Sequence, residues 1–468
     1  MYVGAAVRDG RAQPHVLPVN RWTCTILNPY YSQCLQGSSS ATATSVSSPP
    51  VSIPTTSVPV TSTPTSTSSV TLTGIAASAP TTPPSKLTGK TPALGWNAWN
   101  AYGCEVSEAK VVAAANQFIS LGLMDAGYEY INVDDCWSLQ SRNSTNQQIV
   151  PDTSKFPDGI SGVASQVHTL GLKFGIYGLV ACLDAGTATC SGFPGSLGYE
   201  SLDAATFATW GVDYNCNVPG NWSDSGVSTL CNSNSAIRYR QMGAALAAQS
   251  NPIQFNLCIW GDANVWQWGA RVGHSWRMSG DSTASWSYIT SIISTNAQYL
   301  SYVDFWAHND MDMMEIGNGN LTIEEQRTHF AAWCFLKSPI LLGTDLSLLS
   351  AEQIAIITNT ELLAFHQDDT IGTPAMPFTP APSAPTVSPP EFYAGPSSAG
   401  THVFIINTSG STASMSFDFA NVPGLAGGGA GSFVVHDMWA GSDLGTFSGS
   451  YSASIESHDT AAFLITPA

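Results

Sequence analysis

Residues 128–137 read YEYINVDDCW: an aromatic and β-branched run that breaks off at two adjacent carboxylates, Asp134 and Asp135. Such a run favours a strand, and one without polar alternation favours a strand buried on both faces. Similar runs recur on either side. Upstream lies ALGWNAWN (93–100); downstream follow LKFGIYG (172–178), GVDYN (211–215), IQFNLCIW (253–260), HSWRMSGD (274–281), YVDFWAHND (302–310) and PILLGTDL (339–346). Helical patterns lie between several of them. Ser107 precedes the apolar-periodic EAKVVAAANQFIS, Thr322 and Glu325 frame one capping box, and Ser350 and Gln353 frame another. Eight strands alternating with helices predict an α/β fold, a (β/α)8 barrel over residues 87–374. From about residue 375 to 468 the pattern changes to short alternating runs such as THVFIINTS and TAAFLIT between Gly and Ser turns, which predicts an antiparallel β-sandwich.

Ahead of the barrel, residues 38–86 form a Ser/Thr/Pro/Val tract without charge until Lys86. It has too little apolar surface to offset its ordering entropy and reads as an extended linker and domain boundary. The formal charge is −18, from 15 Lys and Arg against 33 Asp and Glu, which argues against a nucleic-acid partner. No apolar run is long enough to span a membrane. Ten cysteines and four Asn-x-Ser/Thr sequons (Asn143, Asn221, Asn320, Asn407) suit an oxidising secretory route, although the first residues do not show the apolar core of a secretory leader. The expectation is an extracellular protein.

In a barrel of this kind, the C-terminal ends of the strands build the active site. Here they carry Asp134 and Asp135 on the second strand, Arg277 and Asp281 on the sixth, and Trp96 and Trp99 on the first. Taken singly, a strand Trp is core and an acidic strand end is solvated rim. Several converging on one face point instead to sugar chemistry, where aromatic faces stack on a pyranose and carboxylates hold hydroxyls and move protons. No phosphate loop or zinc-protease pattern competes.

The segments TPALGWNAWNAYGCEVSE, YEYINVDDCW, GLKFGIY, TCSGFPGSLGYE, SWRMSGD, WAHNDMDMMEIGNG, LTIEEQRTHFAAW and HDMWAGSDLGTFSGSY occur in the order of, and resemble, the signatures of the family 27 glycoside hydrolases, typified by α-galactosidases. The resemblance covers residues 87–468. It implies a retaining enzyme without metal or other cofactor that removes terminal α-galactose from oligosaccharides and galactomannan-type polysaccharides. It also implies that Asp134 and Asp135 bind the galactose 4- and 6-hydroxyls, with Trp96 and Tyr177 lining the pocket. Arg277 is expected near the 2-hydroxyl, Asp281 is expected as general acid/base, and Cys258 and Trp260 are expected to close around O2. The bulk of Trp260 favours galactose over N-acetylgalactosamine, and Ile259 stands where the family commonly has Glu. The resemblance further implies disulfides Cys104–Cys136 and Cys190–Cys216.

Two departures stand out. Where the family's fourth strand reads like G-V-D-Y-L-K-Y-D-N-C, this chain reads Gly211-Val-Asp213-Tyr214-Asn215-Cys216. The segment L-K-Y-D, with the nucleophile, is missing. Counted back from Cys216, the nucleophile's place falls on Tyr214; Asp213 is a weak substitute, turned away by strand alternation. The second departure is an extra stretch at residues 178–183. Either the deduced sequence carries an in-frame exon-boundary slip, the reading favoured here, or the protein is a catalytically silent galactoside- or polysaccharide-binding form. Finally, TCTILNPYYSQCL within residues 1–37 resembles the last third of a fungal family 1 cellulose-binding module, with Tyr30 and Tyr31 matching two cellulose-stacking aromatics. Its upstream half is absent, so the fragment is not expected to fold.

Overall fold

The computed structural model describes residues 22–28, 31–36, 82–179, 189–218 and 228–468. Contacts divide the chain into a unit at Tyr2–Ala77 and one at Ser78–Ala468. In the first unit, β1 (Trp22–Asn28) pairs antiparallel with β2 (Tyr31–Gln36), with Cys24 opposite Cys34. The backbone of this segment thus pairs as a hairpin, where no folded fragment was expected. Tyr30, the Tyr31 side chain and the linker up to residue 81 lie outside the described residues.

The second unit opens with eight parallel strands: β3 (Leu94–Asn97), β4 (Tyr130–Val133), β5 (Lys173–Leu179), β6 (Tyr214–Val218), β7 (Gln254–Leu257), β8 (Ser275–Arg277), β9 (His308–Asp310) and β10 (Ile340–Leu342). They form one sheet in the order β10-β3-β4-β5-β6-β7-β8-β9, and a parallel bridge Met314–Leu342 lies between the ends. Helices α1 (Glu108–Ser120), α2 (Gly159–Thr169), α3 (Glu200–Trp210), α4 (Ser228–Ala247), α5 (Trp286–Asn296) and α6 (Ile323–Phe335) fill the crossovers. Only 3-10 turns lie between β7 and β8. The barrel is the one the strand runs predict. Both capping boxes form, at Thr322 and at Ser350 ahead of α7 (Ala351–Ile357). Ser107 starts α1 without a side-chain cap bond.

Strand alternation fixes what points inward. Asn132 lies across β5 at Gly175, where a Cβ would overlap its Oδ1, so only glycine fits in that place. Toward the barrel floor His274 accepts from the Phe255 N–H at Nδ1 (2.9 Å) and donates from Nε2 to the Ser85 carbonyl (2.8 Å). Burial holds its pKa down at about 4, which keeps the ring neutral for both bonds.

The antiparallel domain, β11 (Met376–Pro377) through β18 (Thr460–Pro467), comprises a six-stranded sheet and the two-stranded pair β14 (Ala413–Asp418)–β17 (Ser450–Ile455) around its own apolar core. Charged and aromatic groups stitch it to the barrel helices. Arg327 pairs with Asp459 (2.8 Å) and lies 4.0 Å over the Trp439 ring. His458 bonds Glu325 (2.8 Å) and stacks on Trp286 at 4.2 Å. His436, on β15 (Ser432–Asp437), sits between Asp443 (2.7 Å) and Glu361 (3.0 Å), the latter on α8 (Thr360–His366). Hydrogen bonds to Glu361 and Asp443 raise the His436 pKa. A raised folded-state pKa adds stability below the unfolded value of about 6.5, and that stability is lost as pH rises through the folded value. His436→Ala should therefore lower Tm more at pH 5.5 than at pH 9; an equal or reversed difference in thermal melts would contradict the latch.

Candidate active site

The polar residues gather where the strands end. Asp134 and Asp135 follow β4 and are buried at 8% and 3% exposure. Asn97 Nδ2 donates to Asp134 Oδ2 (2.8 Å), and the Asp135 N–H donates to its Oδ1 (2.8 Å). Asp135 is held by the Cys136 N–H (2.8 Å) and the Ser191 N–H (3.1 Å). Burial raises both pKa values, that of Asp134 to about 7, against the hydrogen bonds that lower them. Tyr177, on the inward face of β5, is 8% exposed and its hydroxyl lies 3.8 Å from Cys190 Sγ.

Arg277 is the hub of the opposite wall. Its Nη2 reaches Asp312 Oδ2 at 2.6 Å and Asp281 Oδ1 at 3.2 Å, and its Nη1 donates to Cys258 Sγ at 3.6 Å. Asp281 is about half exposed while Asp312 is buried. Burial outweighs the Arg277 attraction at Asp312 and lifts its pKa to about 7, with Asp281 adding repulsion. Behind this pair, Asp310 accepts from Asn256 Nδ2 (2.7 Å), and Asp312 accepts from the Ser282 N–H (2.6 Å). Trp260 and Gly261 both have positive φ (55° and 80°) and turn the end of β7 so that Trp260 packs beside Cys258 and Tyr177.

The structure therefore brings Asp134, Asp135, Tyr177, Cys258, Trp260, Arg277 and Asp281 to one end of the barrel. Trp96 is placed differently from the expectation. It is fully buried, with its indole N–H on the Thr344 carbonyl (2.8 Å). The exposed indole is that of Trp99, 36% accessible in the helical turn after β3, where the Trp99 backbone N–H donates to Asn97 Oδ1 (2.8 Å). Asp310, Asp312 and Asn97 were not singled out from sequence; the carboxylates spaced by two in HNDMDM at a strand end were the available signal.

Strand β6 departs most from expectation. Asp213 lies before the strand at the N-terminal rim, where its Oδ2 accepts from His168 Nε2 (2.7 Å) and the Phe174 N–H (2.9 Å). It is no substitute nucleophile: it is two or more residues below the pocket and already bonded. Nor does Tyr214 occupy the nucleophile's place. Its ring is fully buried one layer below the pocket, 5.3 Å from Tyr130 and beside Leu341. The next inward residue, Cys216, is the one that packs with Tyr177, Cys258 and Trp260. No residue from Tyr214 to Val218 carries a carboxylate. The cysteines follow suit. Cys104–Cys136 is bridged. Cys190 is disulfide-bonded, but Cys216 is free, so the expected Cys190–Cys216 bridge is absent. Cys216 lies on β6 in the barrel wall, opposite Tyr177 of β5. The 178–183 stretch is described only through Leu179.

A (β/α)8 barrel with carboxylates, an arginine and aromatics at the strand ends defines a glycoside hydrolase. Residues 91–368 match the family model described as alpha galactosidase A, and residues 387–465 match the alpha galactosidase C-terminal β-sandwich domain. The chain belongs to the α-galactosidase family of glycoside hydrolases. It is 45% identical over 413 residues to the probable α-galactosidase B of Penicillium simplicissimum, covering 81% of this chain and 93% of that one. Against that of Aspergillus fumigatus the identity is 45% over 419 residues, covering 81% and 97%. Among solved structures, α-galactosidase I from Mortierella vinacea superposes with TM-score 0.72 at 31% identity, covering 81% of this chain and 98% of that one. The Saccharomyces cerevisiae α-galactosidase with raffinose gives 0.73 at 27%, covering 82% and 100%.

Breaking a buried ion pair by removing one partner costs about 3–5 kcal/mol. Asp312→Asn should fall at the low end, because Asp281 remains beside Arg277. Urea unfolding should show that loss, and an unchanged midpoint would mean that Asp312 does not hold Arg277.

Proposed function

We propose that this pocket binds a terminal α-linked galactose and that the protein is a secreted retaining α-galactosidase of oligosaccharides and galactomannan-type polysaccharides. The observation that carries the reading is the opposition of two polar walls. On one, Asp134 and Asp135, oriented by Asn97 and backbone N–H groups, can accept the 4- and 6-hydroxyls. On the other, Arg277 positions the half-exposed Asp281 to protonate the leaving oxygen. A yeast relative has been solved with raffinose, an α-galactoside. Trp260, packed beside Cys258, narrows the space around O2 and favours galactose over N-acetylgalactosamine. Export is supported by sequons Asn143 and Asn320, which are exposed. Asn407 is not available for a glycan: it is 1% exposed and its Nδ2 donates to three carbonyls. Cellulose binding by the N-terminal fragment rests on Tyr30 and Tyr31 alone.

Retention requires a second carboxylate roughly 5 Å from the acid/base group on the opposite sugar face. Strand β6 supplies none in this chain. The second reading, a galactoside-binding protein without turnover, is favoured by that observation for the sequence as it stands. One experiment separates them. The given sequence should bind galactose yet hydrolyse an aryl α-galactoside at a rate lower by a factor of roughly 10³ or more than a variant with Leu-Lys-Tyr-Asp inserted between Tyr214 and Asn215. The restored variant should prefer the α-galactoside strongly over the α-N-acetylgalactosaminide. Full turnover without the insertion would overturn the mechanism; comparable kcat/KM on the two glycosides would overturn the specificity.

Asp281→Asn in the restored variant should lose most activity on substrates with poor leaving groups, since these need protonation as the bond breaks. Equal losses on activated and unactivated glycosides would give Asp281 another role.

A further inference from the structure

Cys216 and Cys258 stand side by side, two of the three free cysteines among the described residues. Cys216 is the second inward residue of β6 and pairs in register with Asn256, which makes Cys258, two residues on, its diagonal neighbour on the same inward face. The thiols share a hydrogen bond. Arg277 Nη1 holds Cys258 Sγ from the far side at 3.6 Å, and Tyr177 packs against both sulfurs. Cys216 is partly exposed, whereas Cys334 is fully buried in the barrel core. The juxtaposition is a consequence of the β6 register, which frees Cys216 from a bridge to Cys190.

The geometry points to a vicinal dithiol site, Cys216–Cys258, on the wall of the sugar pocket, which takes a soft centre that needs only two sulfur ligands, a trivalent organoarsenical. Thiol sulfur selects soft partners. A zinc-like ion would need three or four protein ligands, and no group of three His, Cys, Asp or Glu among the described residues could hold one. An organoarsenical brings its own carbon as the third ligand. The step balances without an oxidant: one arsenic(III) oxide and two thiols give two As–S bonds, and the two thiol protons leave with the oxide oxygen as one water. The hydrogen bond with Cys258 and burial raise the Cys216 pKa, which favours the protonated thiol there.

The test uses the full chain and phenylarsine oxide, with intact-mass analysis and thiol titration. One phenylarsenic group should add per chain with loss of two titratable thiols, reversed by a small dithiol but not by a monothiol. Cys216→Ser and Cys258→Ser should each abolish the adduct, and Cys334→Ser should keep it. Should the serine variants fail to fold, peptide mapping of the wild-type adduct should recover the 216 and 258 peptides joined through arsenic. An adduct that survives either substitution, one mapped to other cysteines, or none on the wild type overturns the site. The proposal rests on the galactose reading only for where the site lies. Galactose at ten times its Kd should slow the reaction about tenfold. An unprotected reaction, still lost in both serine variants, would keep the dithiol and overturn the galactose pocket instead.

Discussion

Asp213 anchors the fourth barrel strand at its N-terminal end, and the character of the pocket depends on that anchor. Its carboxylate holds His168 and the Phe174 N–H, its own N–H donates to the Phe174 carbonyl, and its carbonyl accepts from Gln254. Three neighbouring segments fix the strand at this point. With the lower end fixed and side chains alternating in steps of two, each later residue has its face assigned. Tyr214 must fill the floor layer and Cys216 the layer above. The strand does not slide to bring Asp213 inward, because His168 and the Phe174 N–H hold its carboxylate at the rim.

The rest of the pocket is built without reference to that strand. Asp134 and Asp135 are held by Asn97 and by backbone N–H groups of their own turn, and Asp281 and Asp312 share Arg277. These supports come from β3, β4, β8 and the segment after β9, so a change in β6 leaves them standing. Burial raises the pKa of Asp134 and Asp312 to about 7, the latter against the attraction of Arg277.

The barrel was legible in the sequence because eight apolar runs leave few other topologies, and a strand in the structure overlaps each of the eight. The placement of a site residue was legible where it follows from a strand end, as for Asp134, Asp135 and Arg277. It was not legible where one step of rotation decides. Trp96 and Trp99 are three residues apart, and only the start of a helical turn at Trp99 decides which indole is exposed. The bridge Cys190–Cys216 was an expectation from the family resemblance, and Cys216 is free. Here the same cysteine belongs to the barrel wall. Asp312 escaped because its partner, Arg277, is contributed by another strand.

The register of β6 is tested most directly by a crystal structure of the given sequence with galactose bound. The account predicts the Asp213 carboxylate on His168 at the N-terminal rim and the Cys216 sulfur beside Cys258 in the wall of the sugar pocket. An Asp213 carboxylate inside the barrel, beneath the anomeric carbon and roughly 5 Å from Asp281, would contradict it.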